Sequence, residues 1–577
     1  KGYGRRSMVG IGPPGEDCTE ATSEPRKTQG GRTMIRYQIV GLMSVLLASA
    51  ILIPDTGAQP ILLWDFNTSG GVYSAIPVND VDGDLVPDVV AAIYYSDPEP
   101  NLYCVSGTDG ALIWASSDCQ GTWGNQALAA IEDVTGDEID DVILGTPGGI
   151  APGSSVFLKD GADGTTVWTW CTYTQGPNWG WLHEVAPYPD VDGDELPEVA
   201  AAAGGNSSDR SGTVFLFDGE SGDTIWTWRV PLDGAWSLAV IADINGDDAD
   251  DIIVGAGGNS LDNRVWALDG PSGSSIWQRD LEASVSDVAI IEDINGDEIE
   301  DVVAGGWADY VACLDGTNGL VLWTRDIGTI IMELSIIRDV TGNGIDDVIV
   351  GSWSSSVYCL EGESGEIIWS VWVGSDNWSV DALSDVNGDG VDDVAVGSLN
   401  GYRAVCLSGV DGAEIWSYPT TERVYDVSSA PDLNGDHLPD ILVGLQDHGY
   451  APTHLLAFDG DALPTPEITL LLAPDQRQLL PGETLSYRAT VYNNTQTQLS
   501  AWYVAEVELP NGNPYGPVVG PVNFVLEPGQ MKSRTLSHTV PPTPPLGDYA
   551  YKAKVGNPPN TVIDERSFPF SVVLEGE

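Results

Sequence analysis

The residues best suited to do chemistry lie in a nine-residue acidic loop that recurs along the chain. The first loop places Asp80, Asp82, Asp84 and Asp88 at positions one, three, five and nine, with Gly83 at position four. The second has Asp133, Thr135, Asp137 and Asp141, and the third Asp190, Asp192, Asp194 and Glu198. The fourth has Asp243, Asn245, Asp247 and Asp251, and the fifth Asp293, Asn295, Asp297 and Asp301. The sixth has Asp339, Thr341, Asn343 and Asp347, the seventh Asp385, Asn387, Asp389 and Asp393, and the eighth Asp432, Asn434, Asp436 and Asp440. Side-chain oxygens on alternate residues suit a hard cation, and the glycine permits the sharp turn that wraps backbone around it. Position seven, Val86 in the first loop, offers its carbonyl. Two carboxylates about 4 Å apart repel by roughly 4 kcal/mol at an effective dielectric near 20. Three or four in one loop therefore call for a cation. Ca²⁺, with its many oxygens and loose geometry, fits better than Mg²⁺, and up to eight Ca²⁺ are expected as structural pins. No His/Cys cluster points to zinc. Thr135 and Thr341 replace an acid or amide, Asn343 makes the sixth loop the weakest, and Glu198 is one methylene longer than the others. The competing reading is an Asp-rich turn whose carboxylates accept backbone N–H groups.

A second constellation precedes the loops. Six residues before position one stand Ser74, Ala127, Glu184, Ser237, Asp287, Glu333, Ser379 and Asp426. Seven before it, Tyr73, His183, Trp236, Trp378 and Tyr425 bring aromatic rings to the same level, and Trp123, Trp179 and Trp181 lie in adjoining loops. Four before it the residues are mostly small, among them Ala129, Ala186, Ala239, Ala289 and Ser335. Aromatic rings beside carboxylates suit a sugar or a cationic peptide, so Tyr73, His183, Glu184, Trp236, Asp287, Glu333, Trp378 and Asp426 are the candidate ligand-binding set. The competing reading packs the aromatics between structural units and turns the acids to solvent. With His183 the one histidine near this set, no acid–base pair and no catalytic residue can be named.

The elements that must carry these residues are strands. Each acidic loop is followed by a short β-branched run stopped near glycine, such as Asp347-Val-Ile-Val-Gly351. A second motif, Leu216-Phe-Asp218-Gly-Glu-Ser-Gly222-Asp-Thr-Ile-Trp226, alternates with the loops; its relatives end at Trp114, Trp168, Trp277, Trp323, Trp369 and Trp416. It reads as a hairpin with an Asp-Gly turn. Four strands in roughly 50 residues make a propeller blade. The last unit reaches Phe458-Asp459-Gly460 without its Ile-Trp strand, while an orphan strand, Ile61-Leu-Leu-Trp64, precedes the first unit. The N-terminal strand is expected to complete the final blade and hide two sheet edges. The fold expected is all-β: an eight-bladed propeller over 59–462, or a seven-bladed ring with a stray unit.

On these motifs the chain resembles two repeat families. The acidic loop, apolar strand and glycine resemble the FG-GAP/VCBS repeats of integrin α-subunits and secreted bacterial proteins. The Leu-Asp-Gly…Gly…Ile-Trp half resembles the repeat of pyrroloquinoline-quinone (PQQ) enzymes and their non-catalytic relatives. The resemblance implies a calcium-laden propeller and leaves the biological role open.

Near Asp461-Ala-Leu-Pro-Thr-Pro466 the repeats stop. Segments such as Leu485-Ser-Tyr-Arg-Ala-Thr-Val-Tyr492 and Tyr549-Ala-Tyr-Lys-Ala-Lys-Val555 then alternate like strands, and 463–577 is expected to be an Ig-like sandwich without a disulfide. At the other end, Arg36 and the apolar run Ile39 to Ile53, closing on small residues, have the layout of a secretory signal. Translation is expected to start at Met34, with 1–33 upstream read-through; an N-terminal anchor is the alternative. Cys104, Cys313, Cys359 and Cys406 occupy equivalent repeat positions and should be buried, while Cys119 and Cys171 could pair.

The whole chain has 577 residues and a formal net charge of −63. Such acidity excludes phosphate-neutralising nucleic-acid binding and docking on anionic lipid, while 42% hydrophobic residues suffice for real cores. The sequence thus reads as a secreted, calcium-binding, monomeric binding or adhesion protein with an extracellular glycan or protein ligand and no membrane insertion once the signal is removed. The alternative is a secreted or periplasmic enzyme of the quinoprotein or polysaccharide lyase type, although the adjacent cysteines of many PQQ dehydrogenases do not occur here.

Overall fold

The computed structural model describes residues 58–573 apart from 95–99, 118, 120, 123, 125, 148–154, 172–179, 205–211, 232, 259–261, 436, 447–452, 465–467, 475–477, 494, 496, 529 and 559–560. The expected signal and start at Met34 lie outside the described residues, as do Trp123, Trp179 and Asp436. Asp55–Glu577 make one compact unit. Every regular element among the described residues is a strand, and none is a helix long and apolar enough to cross a membrane.

The β-branched runs after each acidic loop fold as the second strand of a four-stranded antiparallel sheet. Val72–Val78, Asp88–Ile93, Leu102–Val105 and Leu112–Ser116 form the first such sheet. Five more sheets repeat that order along the chain, and an eight-stranded sheet holds two further sets of four. Those two sets touch through one parallel bridge, Ala58 to Trp416. In the last set, Ala58–Thr68 runs antiparallel to Thr453–Pro464, with Trp64 opposite Ala457. The propeller's first strand thus supplies the outer strand of a sheet whose other strands are the propeller's last.

The second strand of each set is buried along its length, as in Asp88–Ile93 and Asp347–Ser352, because neighbouring sets cover both faces. That double burial explains its unbroken apolar sequence. The outer strand alternates: Trp226 is buried while Thr224, Thr227 and Arg229 are exposed. The first strands line a central channel, each packed on the next, and Val72–Val78 packs on Arg423–Ala430, so the arrangement is a closed propeller.

One contact repeats at every seam. The indole Nε1 of each motif tryptophan donates to the carbonyl of a glycine in the next set's hairpin: Trp114 to Gly161 at 2.8 Å, Trp168 to Gly219 at 2.7 Å, Trp226 to Gly270 at 2.6 Å. Trp277, Trp323 and Trp369 bond Gly316, Gly362 and Gly409 in the same way. Trp416 reaches Gly460 at 3.4 Å, and Trp64 of the chain's start reaches Gly107 at 2.6 Å, which carries the series across the closure. The hairpin's later glycine lies beneath the ring: a Cβ on Gly222, whose φ is +70°, would come within 2.5 Å of Trp168. Glycine is needed there for both reasons. Cys104, Cys313, Cys359 and Cys406 are wholly buried in these seams.

Beyond the propeller, Ile468–Pro474, Thr484–Asn493 and Met531–Thr539 form one sheet. Gln478–Leu479, Thr561–Val572, Gly547–Asn557, Leu499–Glu508 and Pro514–Leu526 form a second. Both enclose one core around Tyr487, Tyr551 and Phe568, in which the Tyr487 and Tyr551 hydroxyls are 2.6 Å apart. Arg488 of this module pairs with Glu422 of the propeller at 2.7 Å.

Candidate functional site

The acidic loops and the Asp-Gly hairpin turns share one face of the propeller. Antiparallel alternation puts the starts of the first strands, with the residues seven before each loop, on the opposite face.

In the corner loops, position one organises backbone. Asp243 Oδ1 accepts N–H from Gly246 at 2.6 Å and Asp247 at 3.2 Å, and its Oδ2 accepts from Asp248 at 2.8 Å. Asp80, Asp133, Asp293 and Asp385 do the same in their loops. Such donors hold the carboxyls of Asp190 and Asp243 below the usual range. Asp432 and Asp339 are engaged likewise.

Position nine is a buried staple. Asp88 Oδ2 accepts from Val81 at 2.7 Å within its loop, and Oδ1 accepts from Gly107 at 2.9 Å, the glycine whose carbonyl Trp64 holds. Asp141, Glu198, Asp251, Asp301, Asp347, Asp393 and Asp440 grip Gly161, Gly219, Gly270, Gly316, Gly362, Gly409 and Gly460 in turn. Glu198 makes the bond despite its extra methylene. Burial pushes Asp141, Asp251, Asp301 and Asp393 up to about 6 and Glu198 to about 7, against the pull of the N–H donors.

Position three sorts the loops. In the first and third loops, carboxylate oxygens of Asp80, Asp82 and Asp88, and of Asp190, Asp192 and Asp194, lie within 4.8 Å of one another. Burial and the charges of Asp194 and Asp218 raise Asp192. These two donor sets fit a hard cation. In four other loops an amide stands between: Asn245, Asn295, Asn387 and Asn434 donate Nδ2 to Asp251, Asp301, Asp393 and Asp440 at 3.0–3.5 Å. Thr135 donates to Asp133 at 3.3 Å, and backbone N–H of Thr341 to Asp347 at 3.1 Å. Asp137 and Asn343 accept from the backbone two residues on, as Asp84, Asp194, Asp247, Asp297 and Asp389 do.

The channel set is shaped by a β-bulge. Seven of the first strands slip register between the residues eight and six before the loop, as between Val424 and Asp426. The extra residue of each bulge is the one seven before, which re-aims the ring and the acid that follows it. At this end of the channel Tyr73 stacks on Tyr94 at 5.0 Å and meets Tyr425 at 4.6 Å; Tyr425 meets Trp378 at 5.6 Å, and Trp378 meets Trp353 at 6.4 Å. Tyr73 and Tyr425 are buried in one apolar cluster with Leu399, Tyr94 and Trp378 are half-buried against it, and Trp353 is exposed. A second patch joins His183, Trp236 and Trp307. Burial lowers His183 to about 4, which keeps it neutral. Trp181 is half-buried.

Below the rim, the acids bridge seams instead of facing open solvent. Glu184 accepts from Leu238 N–H, Asp287 from Leu334, Glu333 from Val380 and Asp426 from Ala75, all at 2.7–2.8 Å. Gln126, in the turn before Leu128–Ile131, donates to Asp287 at 3.1 Å, linking non-adjacent sets. A cavity of about 270 Å³ lies among Glu333, Asp381, Asp426 and Gln126.

Sequence reasoning missed several of these residues. Asp381, four before its loop, stands out in a row of small residues, and Gln126 is the one amide seven before. Tyr94, Trp307 and Trp353 each follow the second strand, and Gly204 and Gly258 leave room there for His183 and Trp236.

The model of the family described as outer membrane protein assembly factor BamB matches residues 62–371. Protein FAM234B of Gallus gallus is 25% identical over 183 residues, 29% of this chain and 27% of that protein, so the match spans about a quarter of that curated relative. Sqt1 of Saccharomyces cerevisiae aligns with 69% of this chain and 99% of its own at a TM-score of 0.52 and 11% identity. Quinohemoprotein alcohol dehydrogenase of Comamonas testosteroni aligns with 72% of this chain and 78% of its own at 0.49 and 14%. The likeness to Sqt1 is one of fold.

Proposed function

The chain belongs to the PQQ-type repeat propeller family described as outer membrane protein assembly factor BamB, and from that premise we propose a secreted binding protein whose ligand, a glycan or a protein, enters at the aromatic mouth of the channel. The observation that supports this most is the run of rings Tyr94, Tyr73, Tyr425, Trp378 and Trp353, drawn from neighbouring sets, in which Trp353 is exposed and Trp378 and Tyr94 are half-buried over the buried Tyr73 and Tyr425. Flat rings beside carboxylates suit sugar stacking or a cationic side chain. We read the wheel as eight-bladed, closed by its N-terminal strand, and 463–577 as an Ig-like module beside the mouth. The acidic corners follow the FG-GAP pattern, and we read them as calcium loops. The first and third loops are then the principal sites, since there three carboxylates converge within 4.8 Å and an acid, not an amide or a threonine, stands at position three.

A glycan and protein array with the full chain, in calcium and in chelator, tests the reading. Binding that Trp378→Ala abolishes supports it; binding unchanged in Trp378→Ala and Trp353→Ala overturns the mouth as the site. The quinoprotein alternative follows from family membership. It predicts a visible quinone absorbance after PQQ and Ca²⁺ are added, and bare buffer absorbance would reject it.

A further inference from the structure

The carboxylates inside the channel do more than line it. Glu184, Asp287, Glu333 and Asp426 each leave one first strand and accept a backbone N–H from the next. One tier lower, Asp381 Oδ2 accepts from Ser429 at 2.8 Å, and Ser335 hydroxyl accepts from Ala382 at 3.0 Å while donating to Asp381 Oδ1 at 3.3 Å. Ser379 hydroxyl serves the same seam position by accepting from Val427 at 3.2 Å. A buried N–H left without its acceptor is costly, so these side chains hold the hub together.

Their charges work against that role. Glu184 faces Asp287 and Glu333; Glu333 also faces Asp426 and Asp381; Asp426 faces Asp381. Asp287 faces Glu184 and Glu333 from other sets, and it accepts hydrogen bonds from Leu334 N–H and the uncharged Gln126. The charges acting on the five are those of each other; Asp287 and Asp426 are buried, and Glu184, Glu333 and Asp381 are half-buried. Burial pushes Asp287 up to about 7 and raises Asp381 against their hydrogen-bond donors, while burial together with the neighbouring carboxylates pushes Asp426 up to about 8 and raises Glu184 and Glu333. The cavity beside Glu333, Asp381 and Asp426 gives protons a route.

We propose that the five channel carboxylates form a proton-operated clasp: neutral, they hold adjoining first strands together through their carbonyl oxygens, and ionised, they force those strands apart. A neutral carboxyl keeps its acceptor oxygen, so the seam bonds survive protonation while the repulsion vanishes. The folded state binds more protons than the unfolded chain, so stability is lost as pH rises through neutrality and is regained on mild acidification.

The test is calorimetric melting of the full chain in calcium buffer from about pH 5.5 to about pH 9, for the wild type and for Asp287→Asn/Asp426→Asn. The amides keep an acceptor and remove the charge. The clasp requires that the variant lose less Tm than the wild type over this range, with a difference of at least about 3 °C. Parallel curves, including a variant lowered equally at every pH, overturn it. Should the double variant not fold, infrared titration of the wild type decides: a protonated carboxyl signal persisting above about pH 7 upholds the clasp, and its absence overturns it.

Discussion

A carboxylate's surroundings separate three kinds of acid in this chain. Position-one residues such as Asp190 and Asp243 sit in backbone N–H cradles that favour the charged form. Their contribution is present above the ordinary carboxyl range and is lost as pH falls through their depressed folded values. Position-nine residues carry the opposite shift, because burial outweighs their N–H donors. Asp301→Asn would turn a donor toward donors from Ile294 and Gly316, and a loss of about 1–3 kcal/mol is expected in denaturant titration. On the calcium reading proposed above, position three sets metal dependence. Asp82→Asn combined with Asp192→Asn should place an amide between the acids, as Asn245 already does. Melting with and without chelator should then show a smaller calcium effect than in the wild type. An undiminished effect would move the principal sites to other loops.

Among elements, the hairpin and the acidic corner are one device. A single glycine gives its N–H to the corner of its own set and its carbonyl to the tryptophan of the set before, as Gly270 does with Asp251 and Trp226. Trp226→Phe removes that carbonyl's partner and should cost about 1–3 kcal/mol. Gly270→Ala should cost more, because its Cβ would fall 2.1 Å from the Asp250 carbonyl and 1.9 Å from the Tyr188 hydroxyl. Equal Tm for Gly270→Ala and wild type would refute the tight seam. In the C-terminal module, the edge strand Pro514–Leu526 carries Pro517 and Pro521. Lacking N–H groups there, the edge is a poor template for another chain's strand.

For the whole molecule, closure joins residues nearly 400 positions apart: Asp65 contacts His454 at 2.6 Å, and Thr68 lies opposite Thr453. Replacing Ile61-Leu-Leu-Trp64 by a polar segment removes the last seam's indole and exposes a strand edge. The expected outcome is a propeller melting transition that is lower and broader, with the sandwich transition unchanged. A sharp, unshifted transition would show that closure contributes nothing. The Arg488–Glu422 pair joins the module to the loop that enters Arg423–Ala430, close to Tyr425 at the mouth. Arg488→Ala should therefore alter ligand capture at the mouth more than it alters Tm.

The linear sequence determined the strands, their grouping in fours and the orphan strand at the start, because β-branched periodicity and Asp-Gly turns act over short range. It displayed the acidic corners completely, since their pattern of side-chain oxygens is contiguous. Tertiary structure alone decided what each acid does. Position nine became a staple because folding brings a glycine of the following hairpin onto it, and position three became a bridge or a repulsion according to one amide. The channel residues were visible as rows, but the bulge that turns ring and acid together is a property of strand pairing. Asp381 and Gln126 joined them only once distant strands converged on one axis, where burial raises the carboxylates above their ordinary range.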